Sequence, residues 1–192
     1  MRFIIFTILF LFVFGSVQGQ NSDTKWYSET TSNGITIQNS FPKGGFYPGP
    51  TKKYFNYSYL VFFHRITNKT ANPVEIEVNF SGDSTAIPNS TDTFMKLILP
   101  QDTMTLEKES LISYGVTELE TLDSSTNFHK LLNPEEDCLF YTVAIFYQTK
   151  ADEWNQERGG NRAEFALKDQ NLFYSIPPQN NSLFCGTITF NK

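Results

Sequence analysis

The segment from Pro73 to Phe80 limits the fold of this chain more than any other. Apolar side chains occupy its even positions from Val74 to Phe80, whereas two glutamates and an asparagine occupy the odd positions between them. Successive side chains of a strand point to opposite faces, so one face of this segment is apolar and the other is polar. The pattern predicts an antiparallel strand with one face against a core and the other in water.

Two other segments are apolar on both faces. Tyr57 to Ile66 and Leu139 to Gln148 carry apolar residues in consecutive positions over most of their length. Such strands must be covered on both sides, so we expect both to be central in a sheet. Residues 67–73 contain two Asn and a Pro, which are typical of a turn, and predict that the strands on either side form a hairpin.

Several shorter segments also have the composition of strands, separated by Gly, Pro and Asn. They are residues 35–38 after Asn33-Gly34, 94–99, 103–106, 164–167, 172–176 and 183–190. Helical signal is limited to a short turn that Ser124 or Ser125 would cap and Asn133-Pro134 would end. A second, looser helical spacing from Leu111 to Leu122 is weakened by Gly115.

The pattern of short strands with almost no helix predicts an all-β fold. We expect two stacked antiparallel sheets, each burying one face against the other. Strand composition does not determine how the strands are connected. An immunoglobulin-like sandwich is therefore our first expectation, a jelly roll the second and a closed barrel the third.

The amino terminus resembles a secretory signal peptide in its layout. One basic residue precedes an apolar run from Phe3 to Phe14, and small residues follow up to Gly19. This run is shorter than the roughly 20 apolar residues that span a bilayer. We expect residues 1–19 to be cleaved and residues 20–192 to form one secreted or periplasmic domain without a membrane span.

The net charge of the chain limits the class of partner that it is expected to bind. The chain has 15 basic and 20 acidic residues, a net charge of −5. This acidity argues against nucleic acid or an anionic membrane surface as the main partner. We therefore expect a protein or a glycan.

Cys138 and Cys185 are the only cysteines, and each lies near the start of an apolar strand. In an oxidising compartment an even pair predicts a disulfide, the alternative being two buried thiols. The chain also has sequons of the form Asn-x-Ser/Thr, which we attribute to chance in a sequence rich in these residues. They begin at Asn56, Asn68, Asn79, Asn89 and Asn180.

The sequence contains no catalytic motif that we can identify. His64 lies within a predicted strand and is expected to be structural, whereas His129 is expected to be exposed and without a role. No Gly-x-Ser-x-Gly motif and no zinc-ligand spacing is present. We therefore predict a protein that is not an enzyme and needs no metal or cofactor.

Two loops are candidates for binding. The long polar segment 149–162 contains Trp154, Arg158 and Arg162, which would suit a recognition loop, although Trp154 could instead pack on the sandwich edge. Phe46 and Tyr47 lie in a segment rich in Gly and Pro and could form an aromatic platform, although they could also close the end of the core.

These observations predict an exported, non-enzymatic β-sandwich domain that binds a protein or another surface component through its loops. The alternative is a carbohydrate-binding jelly roll, which would need two or more exposed, coplanar rings among Trp26, Phe46, Tyr47 and Trp154. A secreted hydrolase with carboxylate chemistry is a third, weaker hypothesis.

Overall fold

The computed structural model describes most of the chain after residue 23. The described residues are 24–46, 49, 55–87, 92–117, 119, 127–149, 163–175 and 182–191. Within them the chain is mostly β-strand and contains two 3-10 helices, Leu106–Ser110 and Ile112–Gly115. The prediction of an all-β fold is therefore confirmed.

Twelve strands are described, and they form two antiparallel sheets. In chain order the strands are β1 (Ser28–Ser32), β2 (Ile35–Asn39), β3 (Lys43–Phe46), β4 (Phe55–Asn68), β5 (Val74–Asn79), β6 (Ser84–Ala86), β7 (Thr93–Ile98), β8 (Asn127–Leu132), β9 (Asp137–Gln148), β10 (Glu164–Lys168), β11 (Asn171–Ser175) and β12 (Leu183–Phe190). The seven-stranded sheet has the order β1-β2-β4-β9-β7-β6, and β3 also pairs with β4. The five-stranded sheet has the order β10-β11-β12-β5-β8.

The two doubly apolar strands lie where the sequence predicts them. Strands β4 and β9 pair with each other in the middle of the seven-stranded sheet. Their even-numbered residues, such as Phe62 and Phe140, face the five-stranded sheet and form the main core with Val74, Ile76 and other residues of β5. The alternation of β5 is also confirmed, because its odd-numbered residues are exposed.

The outer face of the seven-stranded sheet is covered as well. Its odd-numbered residues, such as Phe63 and Tyr141, form a second core with Met104, Tyr114 and Val116. These last three come from the segment that contains the 3-10 helices. The seven-stranded sheet is thus buried on both faces, which explains why β4 and β9 are apolar throughout.

The predicted hairpin between β4 and β5 is wrong, because the two strands belong to different sheets. Their apolar faces meet across the core instead of lying side by side. Asn68 stabilises the corner where the chain passes from β4 to β5. Its Nδ2 donates to the carbonyls of Asn72 (2.9 Å) and Leu132 (3.1 Å), and its Oδ1 accepts from the Thr70 amide (2.9 Å). The turn residues therefore direct the chain from one sheet to the other.

Two local predictions are also corrected. The helical turn expected before Asn133 is the strand β8, because it finds a pairing partner along the whole of β5 and buries Leu132 in the core. Residues 103–106 do not extend a strand. They lead into the first 3-10 helix, and Met104 packs instead on the outer face of the larger sheet.

The predicted disulfide is not present, and both cysteines are free and buried. Cys138 lies on β9 of the larger sheet, opposite Ile66, whereas Cys185 lies on β12 of the smaller one. The Cys185 Sγ donates to the Leu172 carbonyl (3.4 Å). Burial raises the pKa of each thiol to about 12, so both are protonated side chains of the core.

Candidate functional site

The most exposed large apolar side chain among the described residues is Ile112, of which 89% is accessible to solvent. Its neighbour Leu111 is 48% exposed. Both belong to the segment Leu111–Gly115, here called the Ile112 turn, which lies over the outer face of the seven-stranded sheet. Single exposed apolar residues are common on protein surfaces, so this turn is our candidate site because two adjacent ones are combined with the backbone conformation described next.

The backbone of the Ile112 turn is strained. Ser113 (φ 49°), Tyr114 (φ 53°) and Gly115 (φ 81°) are consecutive residues in the left-handed region. For a residue with a β-carbon this conformation costs roughly 1–2 kcal/mol. It persists only where surrounding contacts determine it, and such strain is often found at functional sites.

Side chains of the larger sheet supply those contacts. The Tyr114 side chain is buried in the outer core, and its hydroxyl donates to the Phe41 carbonyl (2.6 Å). The Tyr141 hydroxyl donates to the Tyr114 carbonyl (2.7 Å). Desolvation raises the pKa of Tyr114, and it raises that of Tyr141 to about 12, so both phenols remain hydrogen-bond donors.

A lysine and a serine fasten the turn to the larger sheet. The Lys43 Nζ donates to the Leu111 carbonyl (3.0 Å) and to the Glu109 carbonyl, and it lies 4.4 Å from the centre of the Tyr114 ring. The Ser113 hydroxyl lies 2.8 Å from that of Tyr59. These bonds tie the turn to β3 and β4, so Ile112 projects from a rigid support.

Charged residues of both signs surround the Ile112 turn: Lys108 lies in the preceding 3-10 helix and Lys43 reaches the Leu111 carbonyl. Glu107, which is exposed, and Glu109, which is half-buried, both lie in the preceding 3-10 helix. The Glu109 carboxylate accepts a hydrogen bond from the Thr24 hydroxyl (2.8 Å). The site therefore combines an aliphatic tip with a polar margin that carries both charges.

The residues that the sequence singles out lie elsewhere. Phe46 ends β3 and is 76% exposed, but Trp26 is half-buried, with its ring centre 5.2 Å from that of Phe63 in an edge-to-face contact. Trp26 is therefore packed against the outer core. Four further candidates, Tyr47, Trp154, Arg158 and Arg162, lie outside the described residues.

The two histidines have the surroundings that the sequence predicts. His64 is completely buried, and desolvation lowers its pKa to about 3, so it is neutral and out of contact with solvent. His129 is exposed, with its Nε2 2.5 Å from Glu75 Oε1. In the described part of the chain, no group of three or more His, Cys, Asp or Glu residues could hold a metal ion.

Sequence reasoning missed the Ile112 turn. The only local signal is Gly115, which interrupts the helical spacing and suits a left-handed conformation. Nothing local indicates that Ser113 and Tyr114 share that conformation, since their contacts come from Tyr59 and Tyr141.

Comparison with known proteins yields no relative from which a role could be transferred: no protein family, curated protein or solved structure matches this chain. Within the described ranges, no helix is long and apolar enough to cross a membrane.

Proposed function

We propose that this chain is an exported, non-enzymatic binding domain that inserts Ile112 into an apolar pocket of a partner protein. One observation carries the proposal: an aliphatic side chain is 89% exposed on a strained backbone that hydrogen bonds to the larger sheet hold in place. A turn fixed before binding loses little conformational entropy when it docks, so its buried area contributes more fully to affinity.

The chemistry of the turn favours a protein as the partner. Ile112 has no ring to stack on a sugar and no polar side-chain atom to bond a hydroxyl, whereas protein interfaces are built around buried apolar anchors with polar margins. Glu107 and Glu109 balance the positive charges of Lys43 and Lys108, so the margin of the turn lacks the excess of basic residues that binds nucleic acid or anionic lipid. The complementary surface is an apolar pocket with a polar margin.

Export and the lack of catalysis rest on other features. The apolar run from Phe3 to Phe14 supports secretion, with residues 20–192 as the mature domain. A buried His64 whose pKa is about 3 supports a structural role over that of a catalytic base.

The strand connections support a jelly roll over an immunoglobulin-like sandwich. From β4 to β10 every connection changes sheet, apart from the one that joins β6 and β7. In an immunoglobulin-like domain about half of the connections stay within one sheet, namely A-B, D-E and F-G. Repeated crossing between sheets suits the paired Greek keys of a jelly roll.

The proposed function can be tested with two exposed positions. The mature chain is cross-linked to the surface proteins of its source cells, and the captured protein is then purified and titrated with each variant. Ile112→Asp should weaken binding about 30-fold or more, because it removes the central anchor. Leu131→Asp, at a residue 51% exposed on β8, should change the affinity less than about 2-fold.

Both variants should retain the circular dichroism of the unaltered chain, since both side chains are exposed. Equal affinity of Ile112→Asp and the unaltered chain would contradict the proposal. Saturable binding to a glycan array that Ile112→Asp leaves unchanged would favour the carbohydrate-binding alternative instead.

A further inference from the structure

Three buried polar atoms on the inner side of the sheets have no hydrogen-bond partner among the described residues. They are His64 Nε2, Thr142 Oγ1 and Tyr174 OH. His64, Thr142 and Tyr174 are 0%, 0% and 1% exposed, so solvent at the surface cannot satisfy these atoms. A buried polar group without a partner costs roughly 1–3 kcal/mol, so three of them in one core need an explanation.

The three side chains are neighbours. His64 and Thr142 lie on β4 and β9, which pair directly, and both face the five-stranded sheet, where Tyr174 lies on β11. The ring centres of His64 and Tyr174 are 5.8 Å apart, in an edge-to-face arrangement. Desolvation raises the pKa of Tyr174 well above its usual value, and a hydrogen-bonding interaction with the Thr142 side chain partly opposes that shift. The two hydroxyls are therefore close to each other, although no hydrogen bond of normal geometry joins them.

The protonation of His64 follows from Asn39. The Asn39 Nδ2 donates to the Ser28 hydroxyl (3.1 Å) and to the Phe165 carbonyl (3.2 Å), while its Oδ1 accepts from the Phe165 amide (2.9 Å). The amide is thereby oriented with Oδ1 toward His64 Nδ1, at 2.8 Å. An oxygen that only accepts requires Nδ1 to carry the proton of the neutral ring, so Nε2 is a bare acceptor.

The three atoms therefore have complementary capacities. Nε2 must receive a hydrogen bond, whereas each hydroxyl can both donate and accept. A water molecule can donate one hydrogen bond to Nε2 and accept from the hydroxyls, and buried waters typically make two to four such bonds.

We propose that one water molecule is bound permanently between His64, Thr142 and Tyr174 in the core between the two sheets. It links a strand of the smaller sheet to both central strands of the larger one. The rings of Phe165 and Phe140 lie beside His64, with centres 4.6 Å and 5.5 Å from the imidazole centre and 5.4 Å from each other. Because these rings have no group that donates a hydrogen bond to Nε2, the ligand is water, which both donates and accepts.

Magnetic relaxation dispersion of water oxygen-17 tests this proposal on the purified mature chain, because it detects water that exchanges slowly from a protein interior. The unaltered chain should give the signal of a long-lived water. The signal should be lost in the double variant Thr142→Val, Tyr174→Phe. It should persist in Tyr141→Phe, the matched control, whose hydroxyl bonds a carbonyl directly.

A crystal structure of the unaltered chain provides a test that does not depend on the variants folding. It should show a water oxygen about 2.7–3.2 Å from Nε2 and from at least one of the hydroxyls. The proposal is overturned if no long-lived water is detected, if the double variant keeps it, or if a hydroxyl donates directly to Nε2.

Discussion

A β-carbon placed on Gly44 would lie 2.0 Å from the carbonyl oxygen of Tyr59. Strand β3 can therefore lie against β4 at this point only because residue 44 has no side chain. The adjacent Gly45 is different, since its nearest such contact is 4.0 Å away, at Tyr59 Cε1. The attachment of β3 matters for the candidate site, because β3 carries the Lys43 ammonium that holds the Ile112 turn.

Replacing Gly44 should therefore be much more harmful than replacing Gly45. We expect Gly44→Ala to lower the free energy of unfolding by about 1–3 kcal/mol, since the backbone of β3 must move away from β4. Gly45→Ala should change it by less than about 0.5 kcal/mol. Urea denaturation of both variants measures the difference, and equal effects would show that β3 is not packed as described.

The corner between β4 and β5 gives a second prediction. Asn68→Ala leaves the carbonyls of Asn72 and Leu132 without their donor, and should lower the free energy of unfolding by about 2 kcal/mol or more. Asn79→Ala is the control, because Asn79 also begins a sequon but is exposed on β5. It should change stability by less than about 0.5 kcal/mol in the same thermal or urea measurement. Similar losses for both variants would argue against this role of Asn68.

The parts of the fold that the sequence predicts are those that depend on burial alone. Val74 to Phe80 alternates because one face of β5 meets the core, and β4 and β9 are apolar throughout because both of their faces are covered. Those facts require no knowledge of which strands are neighbours, so periodicity is sufficient to reveal them.

The predictions that are wrong or missing concern residues whose hydrogen-bond partners are distant in the chain. Asn and Pro favour a turn at residues 67–73 whether the next strand pairs or crosses, and here the deciding bond joins Asn68 to Leu132, 64 positions away. Likewise, Ser113 and Tyr114 are left-handed because of contacts with β4 and β9. Local patterns carry no information about such bonds, so the Ile112 turn could not be predicted.

The buried His64 makes stability depend on pH. Its pKa is about 3 in the folded chain and 6.5 in its ordinary state, so between these values the unfolded chain takes up a proton that the folded chain does not. The free energy of unfolding should therefore decrease as the pH falls from 6.5 to 3, by up to about 1.4 kcal/mol per pH unit from this residue. Above pH 6.5 the contribution is constant.

His64→Gln, which does not titrate, isolates this contribution from that of the carboxylates. Urea denaturation at several pH values between 3 and 8 should show the unaltered chain losing stability more steeply than the variant below pH 6.5. Parallel curves for the two proteins would mean that His64 is protonated equally in the folded and unfolded states.

The strain in the Ile112 turn can be measured by comparing two substitutions at one position. Ser113→Gly and Ser113→Ala both remove the hydroxyl next to Tyr59, but only glycine tolerates a φ of 49° without steric cost. Ser113→Gly should therefore be the more stable of the two by about 1 kcal/mol in thermal or urea denaturation. At Ser110, in the preceding 3-10 helix, the alanine variant should instead be more stable than the glycine variant, because glycine there only increases the conformational entropy of the unfolded chain. If alanine were the more stable residue at both positions, the turn would not be strained and Ile112 would not be held by preorganised backbone.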